Sequence, residues 1–252
     1  MKLSISIISF NEESNIERTL LAVKPIADEI IIVDSHSTDR TVEIAESLGA
    51  KVFSEPWKGH IAQKNSALEK CSGDWVLCVD SDEELTEAAR ESIMQLIDRD
   101  ENTNGYAINR CTFYMGKLLK HSWQPDHKLR LVRRSASPYW GGYDPHDVLM
   151  VKGKTGKIQG SLTHYSYKDF SDHMQRTIQH ACWTAISYHK KGKKCGALAL
   201  LTKPPFAFVK MLIFQRSILD GMPGVVAATS AAVYAYMKYS FLYELGKAKD
   251  IV

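Results

Sequence analysis

The stretch WVLCVDSDEEL, residues 75–85, runs from five apolar residues straight into Asp80, Asp82, Glu83 and Glu84, four acids within five positions. A short apolar run bounded by turn residues reads as a buried strand. Two carboxylates one residue apart at its end repel each other unless something positive lies between them. A divalent cation is the usual solution, and carboxylate oxygens suit the hard ions Mg²⁺ or Mn²⁺, with a nucleotide diphosphate completing the coordination. An acidic strand end can equally be a solvated turn or the start of a helix whose dipole tolerates acids, and Glu83 and Glu84 fit that role.

Upstream, apolar runs at 3–9, 29–33 and 51–53 alternate with helix-like segments at 13–23, 41–48 and 61–70. Strand and helix alternating at this spacing predict parallel β-α-β units and an open α/β sheet. Ligands of such sheets sit at the carboxyl ends of the strands. The polar clusters Asn11-Glu12, Asp34-Ser-His-Ser-Thr-Asp39 and Asp80-Ser-Asp82 all fall there. Asp39 reads as a cap for the helix near Thr41. Beyond Asp82 a helix is expected over 86–98, a strand over 106–113, loops over 121–143, a strand over 158–164 and a helix over 170–189.

Several alternatives are excluded. An EF-hand would need glycine where Leu85 stands, and no G-x-G-x-x-G, Walker-type or G-x-S-x-G motif occurs. Five cysteines with no C-x-x-C suggest neither a zinc site nor a disulfide framework, and the first residues read as a strand instead of a signal peptide. A cytoplasmic location is expected. The formal net charge of +3 is unevenly distributed: residues 1–100 carry 10 Lys/Arg against 20 Asp/Glu, and residues 183–252 carry 10 against 3. That asymmetry points to an anionic partner or surface met late in the chain. No recognition motif supports nucleic acid.

Four motifs in order carry a resemblance: a strand ending Ser-Phe10-Asn11-Glu12; Ile-Val-Asp34-Ser-x-Ser-x-Asp39-x-Thr41; Gln63-Lys64-Asn65-x-Ala67-Leu68; and Gly73-Asp-Trp-Val-Leu-x-Val-Asp80-Ser-Asp82. Together they resemble the nucleotide-sugar half of family 2 glycosyltransferases of the GT-A type, over roughly the first hundred residues. Within that family the chain is similar to the small lipopolysaccharide-core β-glucosyltransferases. The shared features are Trp57-Lys-Gly-His-Ile-Ala-Gln-Lys64, Arg130-Leu-x-Arg133-Arg134, a glycine-to-His146-Asp147 segment and a late Asp220-Gly-x-x-Gly224.

The resemblance implies a mixed sheet flanked by helices, with a GT-A domain over 1–195. Residues 1–100 would be its nucleotide-sugar half and 101–195 its acceptor half. It implies an inverting, metal-dependent transfer of a hexose, glucose in these relatives, from a UDP-sugar to a lipid-linked acceptor such as the lipopolysaccharide inner core. Phe10, Asn11, Glu12, Asp34, Lys64, Asp80 and Arg130 would hold the donor, with Asp34 accepting from the uracil ring. Asp82, Asp80 and His164 would bind the metal. Inversion needs a base for the acceptor hydroxyl, and Asp147 is the first choice with Asp144 the alternative. Trp123, Trp140, His146, Arg133 and Arg134 are acceptor-side candidates, although large aromatics are more often core and a lone histidine is more often structural.

From residue 196 to 252 the chain is apolar, basic and punctuated by proline. This tail is expected as a helical, amphipathic appendage that attaches to the anionic inner face of the cytoplasmic membrane, with a helical hairpin packed on the domain as the competing reading. Homo-oligomerisation stays open. So do an acceptor that is another glycan or a polyprenyl phosphate, a non-catalytic nucleotide-sugar-binding scaffold, and a phosphohydrolase using the same acids. Haloacid phosphatases, however, carry their D-x-D after the first strand, not the fourth.

Overall fold

The computed structural model of the 252-residue chain describes residues 1–99, 102–143 and 146–247. Two compact units emerge, Met1–Cys111 with Asp126–Tyr165, and Thr112–Pro125 with the chain from Ser166 onward.

The first unit opens with the expected alternation: β1 (Leu3–Ser9), α1 (Ile16–Val23), β2 (Glu29–Asp34), α2 (Thr41–Ser47), β3 (Lys51–Ser54), α3 (His60–Glu69) and β4 (Trp75–Cys78). β1 pairs in parallel with both β2 and β4, and β2 with β3. Ser9 lies opposite Asp34 and Ser6 opposite Cys78, so the polar strand ends share one edge. Ile5, Ile7, Ile32 and Leu77 are buried with Ile16, Leu20 and Val23 of α1 in one core, as parallel strands covered by helices require. Gly73, in the turn before β4, is needed for close approach: a Cβ there would lie 2.6 Å from Ser4 Oγ and 2.8 Å from Ser4 N.

The second half continues with β5 (Glu83–Leu85), α4 (Glu87–Ile97), β6 (Thr103–Tyr114), β7 (Lys117–Leu118), β8 (His127–Arg133), β9 (Tyr139–Tyr143), β10 (His146–Met150) and β11 (Lys154–His164). The sheet order is β3-β2-β1-β4-β8-β6-β11-β5, with β9 and β10 forming a separate hairpin. β8 runs antiparallel to β4 and β6, and β5 antiparallel to β11. Residues 121–143, expected as loops, therefore contain a central strand and half a hairpin. Lys128-Leu129-Arg130-Leu131 in β8 alternates charged and apolar residues as a strand does, but the Trp, Pro and Gly around it read as loop, and Gly141 and Gly142 lower the strand propensity of β9.

The second unit contains the end of β6 paired with β7, followed by α5 (Phe170–Lys190), α6 (Ala197–Val209) and α7 (Met222–Lys247). α7 packs on both α5 and α6. α5, expected with the first 195 residues, thus groups with the tail. Asp169 caps α5 by accepting the Asp172 N–H at 2.8 Å. His173 is buried in an aromatic cluster: its Nδ1 is 2.8 Å from the Tyr114 hydroxyl, and its ring stacks on Tyr167 at 4.2 Å. Burial pushes its pKa down from 6.5 to about 4, against the opposing pull of Asp172.

The unfolded chain takes up this proton near pH 6.5 and the folded chain only near pH 4. The stabilisation is therefore complete above pH 6.5 and is lost progressively as pH falls toward 4. Thermal unfolding across that interval is expected to show a falling melting temperature in the native chain. In His173→Gln the part of the slope nearest pH 6.5 should disappear.

Candidate active site

The carboxyl ends of β1, β2 and β4 gather the first set of expected residues. Phe10 is exposed. Asn11 adopts a left-handed φ of 54°, which asparagine tolerates. Its N–H donates to Ser37 Oγ at 2.8 Å, and its side-chain oxygen accepts the Thr38 N–H at 2.9 Å. The Glu12 N–H donates to Thr41 Oγ1. Asp39 accepts the N–H groups of Thr41 and Glu13, so it organises the entry to α2 as its sequence position suggested. Asp34 is 1% exposed and accepts Ser9 Oγ and the Ser37 N–H, each at 2.8 Å. In this arrangement its carboxylate ties the end of β1 to the loop after β2.

A buried ion network lies beside this edge. Arg130 of β8 is 4% exposed and donates to Asp80 at 2.7 Å and to Glu83 at 2.6 Å. Glu83 is fully buried, and its second oxygen accepts the Asp80 N–H at 3.0 Å. The reading of Glu83 as a solvated helix-start acid is corrected here, because it closes the turn after β4 and neutralises Arg130. Arg110 lies 3.6 Å from Glu83 and 2.8 Å from Asp126, which also meets Lys128 at 3.0 Å. Lys64 of α3 places its ammonium 2.8 Å from both Asp80 and Asp147, over the face of Trp140 at 4.4 Å. Burial opposes the Lys64 charge, yet Asp80 and Asp147 outweigh it and raise the pKa. Burial likewise opposes ionisation of Asp80, but Arg130 and Lys64 hold its pKa well below the ordinary value.

Asp82 is directed elsewhere. Its Oδ2 lies 3.2 Å from His164 Nε2, at the end of β11, and both side chains are partly exposed. The Tyr165 N–H donates to the Asp82 carbonyl, and Thr19 Oγ1 to that of Ser81, which fixes the loop between them. An aspartate oxygen and an imidazole nitrogen this close make a hard-plus-borderline donor pair that fits a divalent cation. Asp80 already has two cationic partners, and no group of three potential metal-binding side chains is found among the described residues.

Of the acceptor-side candidates, Trp140 is 5% exposed and lies under Lys64 and Arg130, so it is a floor for the cations and not a platform for a sugar. Arg133 pairs with Trp75 at the start of β4 and covers its ring at 4.6 Å, and Arg134 donates to the Gly73 carbonyl. Both therefore sit at the opposite end of β4 from Asp80. Trp123 belongs to the aromatic cluster of the second unit. His146 opens β10, and Asp144 lies outside the described residues. Sequence reading missed Glu83 and Arg110. The available signal was Arg130 itself, a charge in the middle of the apolar run LRLV, which implies a buried acid partner.

The sequence pattern described as Glycosyl transferase family 2 matches residues 4–221. An uncharacterized glycosyltransferase of Rickettsia typhi is 30% identical over 263 residues, spanning 100% of this chain and 90% of that protein. The lipopolysaccharide core biosynthesis glycosyltransferase LpsC of Rhizobium meliloti is 28% identical, spanning 97% of this chain and 93% of LpsC. Among solved structures, residues 1–349 of S. aureus TarS in complex with UDP superpose with a TM-score of 0.51 at 13% identity, spanning 100% of this chain and 92% of that one. The likeness to TarS is one of fold, and the mixed sheet flanked by helices is of the GT-A type.

Removing the Arg130 guanidinium would leave Asp80 and Glu83 buried without their shared counter-charge, a change that costs about 3–5 kcal/mol. Urea unfolding of Arg130→Leu is expected to show a loss of that size. Arg130→Lys should recover only part of it, because the shorter lysine side chain does not reach as far as Nη2, the nitrogen that meets both carboxylates.

Proposed function

The chain belongs to glycosyltransferase family 2, and on that premise we propose that it is an inverting, cation-dependent hexosyltransferase. It takes glucose from UDP-glucose and adds it to a lipid-linked acceptor at the membrane, the inner core of lipopolysaccharide. The observations that carry the reading are two neighbouring arrangements after β4: Lys64 held between Asp80 and Asp147, and, two residues on from Asp80, Asp82 beside His164. Similarity to LpsC supports the acceptor class, and the UDP held by TarS supports the nucleotide.

Asp82 and His164 would hold Mg²⁺ or Mn²⁺, whose chemistry here is to stabilise charge on the departing diphosphate. Lys64 supplies a fixed positive charge to the same oxygens. Phe10, Asn11 and Glu12 line the edge that receives the nucleoside. Asp147 accepts the proton of the acceptor hydroxyl as that oxygen bonds to the anomeric carbon and the bond to the diphosphate breaks on the opposite face. Arg130 acts through Asp80 by fixing the turn that carries Asp82.

The test is release of nucleoside diphosphate from a panel of UDP- and GDP-sugars with Mg²⁺ or Mn²⁺, with and without lipid-extract acceptors. Lipopolysaccharide-core acceptors should be used in preference to polyprenyl phosphates, and the latter as substrates would redirect the acceptor assignment. Asp82→Ala should abolish cation-stimulated transfer with an unchanged melting temperature. Asp147→Asn should lower kcat by about 10²–10⁴-fold while UDP still binds. Full transfer by either variant would sink the role given to that residue, and UDP binding without turnover in the native chain would favour a scaffold.

A further inference from the structure

Between Lys190 and Leu219 the chain carries seven Lys/Arg residues and no Asp or Glu. The same segment contains α6, which runs on through a π-helical turn at Lys210–Phe214. Over Ala197–Phe214 it is long and apolar enough to cross a membrane, yet only 6% of it is buried. An apolar helix surface is normally covered by a core or by lipid. α6 uses Phe208, with Met211 and Leu212 just beyond it, against Ala227 and Ala228 of α7. Leu198, Leu201, Phe206, Ile213, Phe214 and Met222 remain between 61% and 75% exposed.

We infer that the segment from α6 to the turn at Ser217–Asp220 is an in-plane anchor that lays its apolar face into the interface of an anionic lipid leaflet. This goes beyond the reading of the active site and does not depend on it. Three features favour lying on the leaflet over crossing it. Lys203 and Lys210 fall inside the apolar stretch, where a spanning helix would carry them into hydrocarbon but an in-plane helix lets them snorkel to headgroups. Pro204 and Pro205 lack the N–H groups that the carbonyls of Leu200 and Leu201 would otherwise bond, an expensive omission in hydrocarbon and a cheap one at a hydrated interface. The chain then turns at Ser217–Asp220, which presents Ile218 and Leu219 outward.

That turn is pre-formed. The Asp220 carboxylate is buried and accepts the N–H groups of Lys120, His121 and Ser122 at 2.7–3.1 Å, together with Ser122 Oγ. Gly224 lets α7 start against it, since a Cβ there would overlap the Ser217 carbonyl. Charge decides between occupants. Two copies packed through this face would bring Lys203, Lys210 and Arg216 of each into one interface with no exposed acid of the segment between them, whereas an anionic leaflet would neutralise these cations.

The experiment is flotation of the full chain with vesicles of phosphatidylcholine alone or mixed with phosphatidylglycerol; flotation also separates bound protein from aggregate. The native chain should float with the anionic vesicles and dissociate in alkaline carbonate. Leu201→Glu/Phe214→Glu should lower binding by about tenfold or more with an unchanged melting temperature, and Leu201→Met/Phe214→Leu should retain it. The inference is overturned by a native chain that ignores anionic vesicles. It is also overturned by carbonate-resistant insertion, which indicates a spanning helix, or by a concentration-dependent dimer that the glutamate pair abolishes without any vesicle binding. Vesicle binding needs no sugar donor, so its failure is separate from a failure of transfer.

Discussion

Arg130 is a charge in the middle of a sheet, and its burial is acceptable only because two carboxylates share it. Asp80 comes from the end of β4 and Glu83 from the start of β5, so the guanidinium joins three strands at one point. Glu83 lies opposite His164 in the β5–β11 pairing. Its position therefore sets where Asp82, one residue earlier, meets His164. A buried ion pair adds little net stability compared with apolar packing, but it punishes any other arrangement of the same chain. Here that penalty fixes the turn on which the proposed cation-binding pair depends.

The parallel half of the fold was legible because its signals are local: isoleucine-rich runs, helical spacing, and polar residues where strands end. In the antiparallel half α4, β6 and β11 were legible from the same signals, whereas β9 and the frame of β8 were hidden by the Trp, Pro and Gly content of residues 121–143, and the partners of the β8 cations are distant in sequence. Glu83 shows the limit most clearly. Four acids in five positions called for positive charge, and an external cation was the economical answer. The chain answers for three of them internally, with Arg130 reaching Asp80 and Glu83 across 50 and 47 residues and the Tyr165 hydroxyl donating to Glu84, and leaves Asp82 turned toward His164. Nothing in a local window distinguishes these cases. Trp140 misleads for a similar reason, since an aromatic ring under Lys64 and Arg130 has the same sequence signature as one over a sugar.

Lys64 ties the network to the reaction. Its ammonium is divided between Asp80 and Asp147 at equal distances, so without a donor the proposed base is held by the same cation that would receive the diphosphate. In the proposed reaction a donor diphosphate would bring negative charge to this point and compete with both carboxylates. Asp80 keeps Arg130 when Lys64 turns away, whereas no second cation is seen beside Asp147 among the described residues. The competition therefore releases Asp147 preferentially. On the proposed function, charge balance would favour one order: donor first, then a freed carboxylate, then the acceptor hydroxyl whose proton it would take.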